Sequence, residues 1–416
     1  MSENPSTVTL GCRLNAYESE RMAQLAAKSG ERDAVVVNTC AVTNEAVRQS
    51  RQAIRRAARQ GRRVIATGCA VQTDPESFAA MPEVARIIGN GVKLDPESWA
   101  RSEDRAPDVF ETRKLPRAEA PAAPAVRAHL EVQNGCDHRC TFCIIPYGRG
   151  AARSKRPEDA LAEARALADA GAKEIVLTGV DLTSWGPDLG EARLGTLVKV
   201  LLDGLPGNVA IRLSSIDGAE VDDLLFRLLT EEERVAPYAH LSLQAGADMI
   251  LKRMKRRHSR EDAVKLAARL KAARPEIALG ADLIAGFPTE TEDMAAETRA
   301  LVEDCGLSFV HVFPFSPRSG TPAARMPQLD RAVVKARAKA LRAVADAALD
   351  RHLRARIGVP LTVLVEQVRD GLATGKAPDF TDVLFPADGA RPGERIRVTP
   401  QARDERRLRA VHVGPE

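Results

Sequence analysis

The sequence predicts an α/β protein with three parts: an N-terminal parallel βαβ domain, a central partial (β/α)6 barrel and a small C-terminal all-β barrel. Three observations predict this fold class. Strand and helix patterns alternate in the first hundred residues, six further strand–helix units follow, and five short strands with Gly and Pro turns come last. The domain boundaries that we expect are 1–105, a Pro- and Ala-rich linker at 106–126, then 127–356 and 357–416.

The composition narrows the class of protein. The chain has 416 residues, enough for several domains that each bury a core. It contains no run of 18 apolar residues that could span a bilayer, and its first ten residues lack the features of a signal peptide, so we expect a cytoplasmic protein. Its seven cysteines are too few for a disulfide scaffold, and clustered thiols in a reducing compartment more often bind metal or do chemistry.

Each predicted strand of the first part leads into a cysteine. Cys12, Cys40 and Cys69 each follow a strand, and ligands of open α/β sheets collect in the crevice at the carboxyl ends of the strands. One such cysteine alone would more often be a buried apolar thiol, but three in register indicate ligands of one metal site. The strands and helices predicted here are Val8–Leu10, Tyr17–Ser29, Ala34–Val37, Asn44–Gln60 and Val64–Ala66.

Three more cysteines lie within eight residues of the segment HLEVQNGCDHRCTFCIIPYGRG, at Cys136, Cys140 and Cys143. They follow a short predicted strand in a loop that can wrap around a metal centre. A closed structural site normally needs four protein ligands. The motif therefore either recruits a distant cysteine or leaves one metal position open for chemistry, and a structural zinc knuckle is the alternative.

The strands of the central part end in polar residues, and the active sites of such barrels lie at the carboxyl ends of the strands. Glycine lets a ligand approach the backbone, and Ser or Asp can bind ribose hydroxyls or an amino group; ordinary turn residues are the alternative. The candidate cofactor contacts are Gly179, Asp181, Ser214, Ser215, Gln244 and Ile284. The predicted strands are Ala128–Gln133, Glu174–Val180, Val209–Ser214, Ala239–Gln244, Ile277–Ala285 and Ser308–Phe315.

Helices are predicted between these strands and after the last one, at Pro157–Ala170, Gly195–Asp203, Val221–Leu229, Glu261–Ala273, Glu292–Cys305 and Asp330–Ile357. Cys305, at a helix end, is expected in the core. The small barrel at the end is predicted from the strands Leu361–Val368, Leu372–Thr374, Phe380–Phe385, Arg395–Val398 and Leu408–Val413. Two basic runs, 48–63 and 252–260, suit phosphate backbones as well as an ordinary solvated helix face.

Eight segments of the chain form a recognisable set: TLGCRLNAYESE, NTCAVTNEA, TGCAVQ, GCDHRCTFCIIPYGRG, RLSSI, HLSLQAGADMILKRMKR, DLIAGFPTET and HVFPFSPRSGTP. Together they resemble the radical S-adenosylmethionine methylthiotransferase family over nearly the whole chain, and the last part resembles the TRAM fold. The N-terminal segments are more similar to the branch that acts on N6-threonylcarbamoyladenosine in tRNA than to the branch that acts on isopentenyladenosine. In the C-terminal part, GKAPDFTDVLF is a weaker match.

The resemblance implies two 4Fe-4S clusters and S-adenosyl-L-methionine as cofactors. Cys136, Cys140 and Cys143 would hold the cluster that cleaves S-adenosylmethionine, and the other triad would hold a second cluster that delivers sulfur. The implied partners are the tRNA anticodon stem-loop, whose phosphates one or the other basic run would contact, and an electron donor such as flavodoxin or ferredoxin. A radical is needed because carbon 2 of adenine carries an unactivated C–H bond. The alternatives are isopentenyladenosine in tRNA, a ribosomal-protein aspartate, or a zinc-containing RNA-binding protein.

Overall fold

The computed structural model describes residues 5–101, 103–104, 106–112, 115 and 125–413. Within these ranges, no helix is long and apolar enough to cross a membrane. The three predicted parts are present as a parallel sheet, a set of parallel strands covered by helices, and a closed barrel of five strands. The fold class predicted from the sequence is therefore confirmed.

The N-terminal part is a parallel sheet with strand order β1-β2-β3-β4. Its second strand reads AVVVNT, and all six residues are buried, as expected for β-branched residues in a strand covered on both faces. The sequence did not predict the fourth strand, which has only three residues. The elements are β1 Ser6–Thr9, α1 Arg13–Lys28, β2 Ala34–Thr39, α2 Asn44–Arg59, β3 Arg63–Gly68, α3 Cys69–Thr73, α4 Pro75–Ala79, β4 Arg86–Ile88 and α5 Pro96–Ala100.

The central part contains six parallel strand positions, as predicted. The third position is interrupted at Ser214, so that β9 pairs with β8 while β10 pairs with β11. Alternate side chains point outward to the helices and inward to the lumen of the open barrel. Its strands are β5 Arg127–Glu131, β6 Gln133–Asn134, β7 Arg153–Ser154, β8 Glu174–Thr178, β9 Ala210–Leu213, β10 Ser215–Ile216, β11 Tyr238–Gln244, β12 Ala278–Ala285 and β13 Phe309–Pro314.

The helices of the central part cover the outer face of these strands, where the apolar residues form the largest core cluster. Cys305 is 2% exposed in this cluster, which confirms its predicted core position. The last helix is 25 residues long and packs on β13. The helices are α6 Ile145–Arg149, α7 Pro157–Asp169, α8 Leu194–Gly204, α9 Asp223–Glu231, α10 Asp248–Met254, α11 Arg260–Ala273, α12 Glu292–Asp304 and α13 Arg331–Ala355.

The C-terminal part is a closed barrel with strand order β14-β15-β16-β18-β17. Its loop between β15 and β16 reaches into the central part, where the Phe380 ring stacks on the Tyr238 ring at a centroid distance of 4.9 Å. The structure therefore joins this barrel to the central strands through packed side chains. The strands are β14 Leu361–Arg369, β15 Leu372–Lys376, β16 Asp382–Pro386, β17 Arg395–Asp404 and β18 Arg407–His412.

The predicted linker at 106–126 lies partly outside the described residues. The part that is described includes a short 3-10 turn, Val109–Glu111, in which Val109 is 2% exposed. The Val109 carbonyl oxygen lies against Gly150, because a β-carbon at Gly150 would be 2.5 Å from it. This turn is thus anchored on the loop that carries Cys136, Cys140 and Cys143, and the domain boundaries stay a prediction.

Candidate metal and cofactor site

The three N-terminal cysteines gather at the carboxyl edge of the parallel sheet. Cys12 directly precedes α1, Cys40 directly follows β2, and Cys69 is the first residue of α3. Gly11 lies so close to the second of these that a β-carbon there would be 2.9 Å from the Cys40 sulfur. Burial, followed by the neighbouring Cys69 and Cys12, raises the pKa of the Cys40 thiol to about 12. The three side chains therefore act on one another electrostatically.

Gly68 sets the position of Cys69 relative to β2. Its φ of +99° lies in the region that favours glycine, and a β-carbon there would lie 2.4 Å from both the nitrogen and the oxygen of Thr39. Two hydrogen bonds hold the same contact: the Thr39 hydroxyl donates to the Thr67 oxygen at 2.6 Å and accepts from the Val71 amide at 3.2 Å. The close approach of the two backbones keeps Cys40 and Cys69 in register.

The second triad lies in the loop after β6. The Cys143 amide donates to the Cys140 oxygen at 3.1 Å, which closes a tight turn, and the Cys136 thiol donates to the Asp181 carboxylate at 3.4 Å. Burial, followed by the neighbouring Cys140, raises the pKa of the Cys143 thiol to about 12. A nitrogen of Arg256 lies 3.7 Å from the Cys140 sulfur.

The two triads lie near each other, and Arg149 contacts the N-terminal one. The Cys69 thiol is among the groups that raise the pKa of Cys143. Arg149, six residues after Cys143 and at the end of α6, donates from Nε to the Cys69 sulfur at 3.1 Å. Its other nitrogens donate to Asn15 at 2.5 Å and to the Glu18 carboxylate. The loop of one triad therefore contacts a member of the other triad directly.

Comparison with known proteins agrees with this arrangement. Residues 130–302 match the radical SAM superfamily, and residues 6–89 match the uncharacterized protein family UPF0004. The threonylcarbamoyladenosine tRNA methylthiotransferase MtaB of Rickettsia prowazekii is 44% identical over 86% of this chain and 87% of that protein. The chain belongs to the radical S-adenosylmethionine tRNA methylthiotransferases.

A second relative, the tRNA-2-methylthio-N(6)-dimethylallyladenosine synthase of Cereibacter sphaeroides, is 34% identical over 98% of both chains. The greater identity with the MtaB relative places this methylthiotransferase in the threonylcarbamoyladenosine branch. Among solved structures, the radical S-adenosylmethionine methyltransferase TsrM of Kitasatospora setae, with tryptophan and a SAM analogue, has a TM-score of 0.53. It is 15% identical over 82% of this chain and 83% of that chain, which shows a shared fold.

The donor set fits an iron–sulfur cluster better than a zinc ion. Four sulfur ligands around one zinc ion at 2.3 Å lie about 3.8 Å from one another. In the part of the methylthiotransferase that the structure describes, neither triad has its three sulfur atoms all within 4.8 Å of one another. At this spacing, the three sulfur atoms of a triad could bind one zinc ion only after moving closer together. Thiolates that surround a larger cluster suit this spacing.

The structure places the six predicted cofactor contacts at the carboxyl end of the barrel, in different surroundings. Asp181 accepts hydrogen bonds from Cys136 and, at 2.8 Å, from Ser184. A β-carbon at Gly179 would lie 2.9 Å from Gln133. The others lie at the break between β9 and β10 (Ser214, Ser215), at the end of β11 with a φ of +69° (Gln244), and in an apolar cluster (Ile284). All six stay predictions.

The two basic runs differ in how many of their charges are free. In the run 252–260, Arg256 and Arg257 pair with Asp217, and Arg260 contacts Asp304. Three arginines of this run therefore form ion pairs within the central part. In the run 48–63, most arginines also have partners, but Arg56 and Arg59 are exposed and form no ion pair with any described residue.

The sequence patterns did not identify Arg149 as a residue that contacts the cysteine site. No spacing rule connects Arg149 with Cys69, from which it is 80 residues distant. Its pKa is raised, because the Cys69 thiol and the Glu18 carboxylate outweigh its burial. A basic residue soon after a cysteine motif was the only signal, and that signal is common in surface loops.

Proposed function

We propose that this methylthiotransferase inserts a methylthio group at carbon 2 of N6-threonylcarbamoyladenosine in tRNA, with S-adenosyl-L-methionine and two 4Fe-4S clusters as cofactors. The relative of Rickettsia prowazekii, named for threonylcarbamoyladenosine in tRNA, supports the substrate. The observation that supports the two-cluster part is the proximity of the two cysteine triads: Cys69 of one acts on the pKa of Cys143 of the other, and Arg149 binds Cys69. We assign Cys136, Cys140 and Cys143 to the radical cluster and Cys12, Cys40 and Cys69 to the auxiliary cluster.

When bound, the radical cluster supplies the electron that cleaves S-adenosylmethionine, and the auxiliary cluster presents the sulfur for transfer. The protein prepares both sites with thiols whose pKa values are raised by burial, as for Cys40 and Cys143. Such thiols become thiolates only when a strongly positive group replaces the proton, so cluster loading releases protons. Arg149 then balances part of the negative charge around Cys69.

The candidates for binding S-adenosylmethionine remain the six strand-end residues. Asp181 is the one whose surroundings support the assignment most directly, because its carboxylate lies 3.4 Å from the Cys136 sulfur. A carboxylate there can accept a hydrogen bond from an ammonium group beside the radical cluster. The candidates are Gly179, Asp181, Ser214, Ser215, Gln244 and Ile284.

We further propose that the anticodon stem-loop is the part of tRNA that binds, since its bases can be splayed out of the stack. The exposed Arg56 and Arg59 on α2 are free to contact its phosphates. The electron for S-adenosylmethionine cleavage would come from a donor such as flavodoxin or ferredoxin. We propose the cytoplasm as the compartment, because clustered free thiols suit a reducing environment.

The relative from Cereibacter sphaeroides favours one second candidate, methylthiolation of dimethylallyladenosine in tRNA. Mass spectrometry of tRNA nucleosides from cells that lack this protein separates the two. We expect loss of 2-methylthio-N6-threonylcarbamoyladenosine and accumulation of its precursor. A change confined to the dimethylallyl nucleoside would refute the substrate assignment.

Cysteine substitutions test the cluster assignment. We expect Cys40→Ala to keep reductive cleavage of S-adenosylmethionine but to lose methylthiolation, and Cys140→Ala to lose both. Cys305→Ala is the matched control, because this thiol lies in the apolar core away from both triads. Iron and acid-labile sulfide should fall by about half in each cluster variant and stay constant in the control. Full methylthiolation by Cys40→Ala would contradict the auxiliary-cluster assignment.

A further inference from the structure

A cavity of about 270 Å³ lies where the three parts of the protein meet. It is lined by Arg13 from the start of α1, by Arg127, His129 and Arg212 from strands β5 and β9, and by Phe380 from the C-terminal barrel. Three guanidinium groups thus surround one space. An anion bound among these groups would reduce the repulsion between them and accept their hydrogen bonds.

Two of the three guanidinium groups have carboxylate partners. Arg127 pairs with Glu174 at 2.6 Å and with Glu366, and Arg212 holds Glu174 with two nitrogens, at 2.7 and 3.0 Å. However, Arg212 is 1% exposed, and its Nη1 has no hydrogen-bond partner in the part of the chain that the structure describes. A buried donor without a partner costs free energy, which a ligand that accepts a hydrogen bond would recover.

Arg13 differs from the other two arginines, because it pairs with no carboxylate of the described residues. Among the described residues, none accepts a hydrogen bond from its guanidinium or forms an ion pair with it. The group lies over the Phe380 ring, 5.2 Å from the centroid. Burial, followed by repulsion from Arg212 and Arg127, lowers its pKa. An anion that enters the cavity would therefore stabilise the charged form of Arg13.

The other groups that face the cavity add little charge. Burial, then the positive charges of Arg13 and Arg127, lower the pKa of His129 to about 4, so this imidazole is neutral at pH 7. Asp282 is the remaining carboxylate near Arg13, but it already accepts hydrogen bonds from His240 at 3.0 Å and His311 at 3.1 Å. The three guanidinium groups carry three positive charges, and the carboxylates of Glu174 and Glu366 neutralise two of them. One positive charge therefore remains without compensation.

We infer that this cavity binds the threonyl carboxylate of the substrate nucleoside, with Arg13 as the residue that recognises it. The inference rests on the proposed function, because that substrate carries a single carboxylate. One negative charge matches the one uncompensated positive charge, and the planar guanidinium suits a bidentate contact with a carboxylate. Arg13 also directly follows Cys12, the first proposed auxiliary ligand, so recognition and sulfur transfer would take place side by side.

The test uses two synthetic anticodon stem-loop RNAs, one with N6-threonylcarbamoyladenosine and one in which the threonyl carboxylate is replaced by a carboxamide. For the wild-type holoenzyme, we expect kcat/KM to be about 30-fold or more lower on the carboxamide RNA, as for loss of a charged hydrogen-bond pair. For Arg13→Gln, we expect kcat/KM on the carboxylate RNA to fall by about the same factor, while the carboxamide RNA changes less than about 3-fold.

Two variants complete the design. Arg331→Gln removes one exposed positive charge at the start of α13 and should leave the discrimination between the RNAs unchanged. Arg13→Lys keeps the charge without the fork and should recover part of the discrimination. Iron, sulfide and the thermal unfolding midpoint of each variant show whether the protein is folded and loaded, and the Kd of each RNA, measured by fluorescence anisotropy, gives a second readout.

Several results would overturn the inference. If kcat/KM of the wild type is the same for both RNAs, and Arg13→Gln needs a higher concentration of added sulfide for turnover, then the cavity binds a free anion instead of the threonyl carboxylate. If Arg13→Gln weakens both RNAs equally, Arg13 supports docking or folding and does not read the carboxylate. If the wild type methylthiolates threonylcarbamoyladenosine but Arg13→Gln is unchanged, only this inference fails. If the wild type acts on neither RNA, the proposed function is wrong and the inference falls with it.

Discussion

Replacing Glu163 by Gln should loosen the attachment of the N-terminal part to the barrel. Glu163, on α7, accepts hydrogen bonds from Tyr17 at 2.9 Å and Arg21 at 2.7 Å, both on α1, and from Lys155 at 2.6 Å. The side chains of Arg21, Lys155 and Glu163 are 4%, 3% and 2% exposed. One carboxylate therefore compensates two buried cations across the junction of two parts.

The magnitude follows from this burial. Removing one partner of a buried ion pair costs about 3–5 kcal/mol, because the remaining charge stays buried without compensation. Glu20 lies 3.6 Å from Arg21 and is half exposed, so it offsets only part of the loss. Glu163→Gln keeps the size of the side chain but not its charge, and we expect the free energy of unfolding to fall by about 3–5 kcal/mol.

Denaturant unfolding measures the change, and hydrogen exchange should locate it in α1 and α7. The matched control is Glu158→Gln on the same helix, where the carboxylate is 68% exposed and lies 3.9 Å from Arg156. An exposed pair of this kind contributes about 0–1 kcal/mol, so the control should be nearly neutral. If Glu163→Gln changes the unfolding free energy no more than Glu158→Gln does, the buried pairing does not hold the two parts together.

Three further predictions concern single residues. Gly68→Ala should lower the unfolding free energy by about 2 kcal/mol or more and reduce auxiliary iron, because its β-carbon would lie 2.4 Å from the Thr39 backbone; denaturation and iron analysis check this. The pKa of His129 is about 4 in the fold against 6.5 otherwise, so this residue should cost up to about 3 kcal/mol of stability as pH falls from above 6.5 to 4. His129→Gln should flatten that part of the pH profile in urea unfolding, and an unchanged slope would contradict the burial argument. Cys305→Ala should cost about 1–2 kcal/mol in the same assay while iron content stays constant, since the thiol acts only as an apolar core group.

The sequence predicted most elements because their patterns are local. The six central strands and the cysteine positions could be read from apolar runs and turn residues, for instance the fully buried AVVVNT of β2. The three-residue β4 was missed because so short a run carries no period of its own. Arg13 and Arg149 could not be predicted as parts of a site, since their roles depend on contacts between parts that are far apart in the chain, such as Arg149 with Cys69.

The order of strands in the C-terminal barrel has a consequence for synthesis on the ribosome. Strand β18 lies between β16 and β17, so the barrel can close only after β18, the last of the described strands to be made, has emerged. Until then, the barrel that carries Phe380 to Tyr238 is incomplete. Domains generally fold as they are synthesised, from the N-terminus onward. The arginine-lined cavity, which Phe380 also lines, would therefore take its final form only after the C-terminal strands have been synthesised.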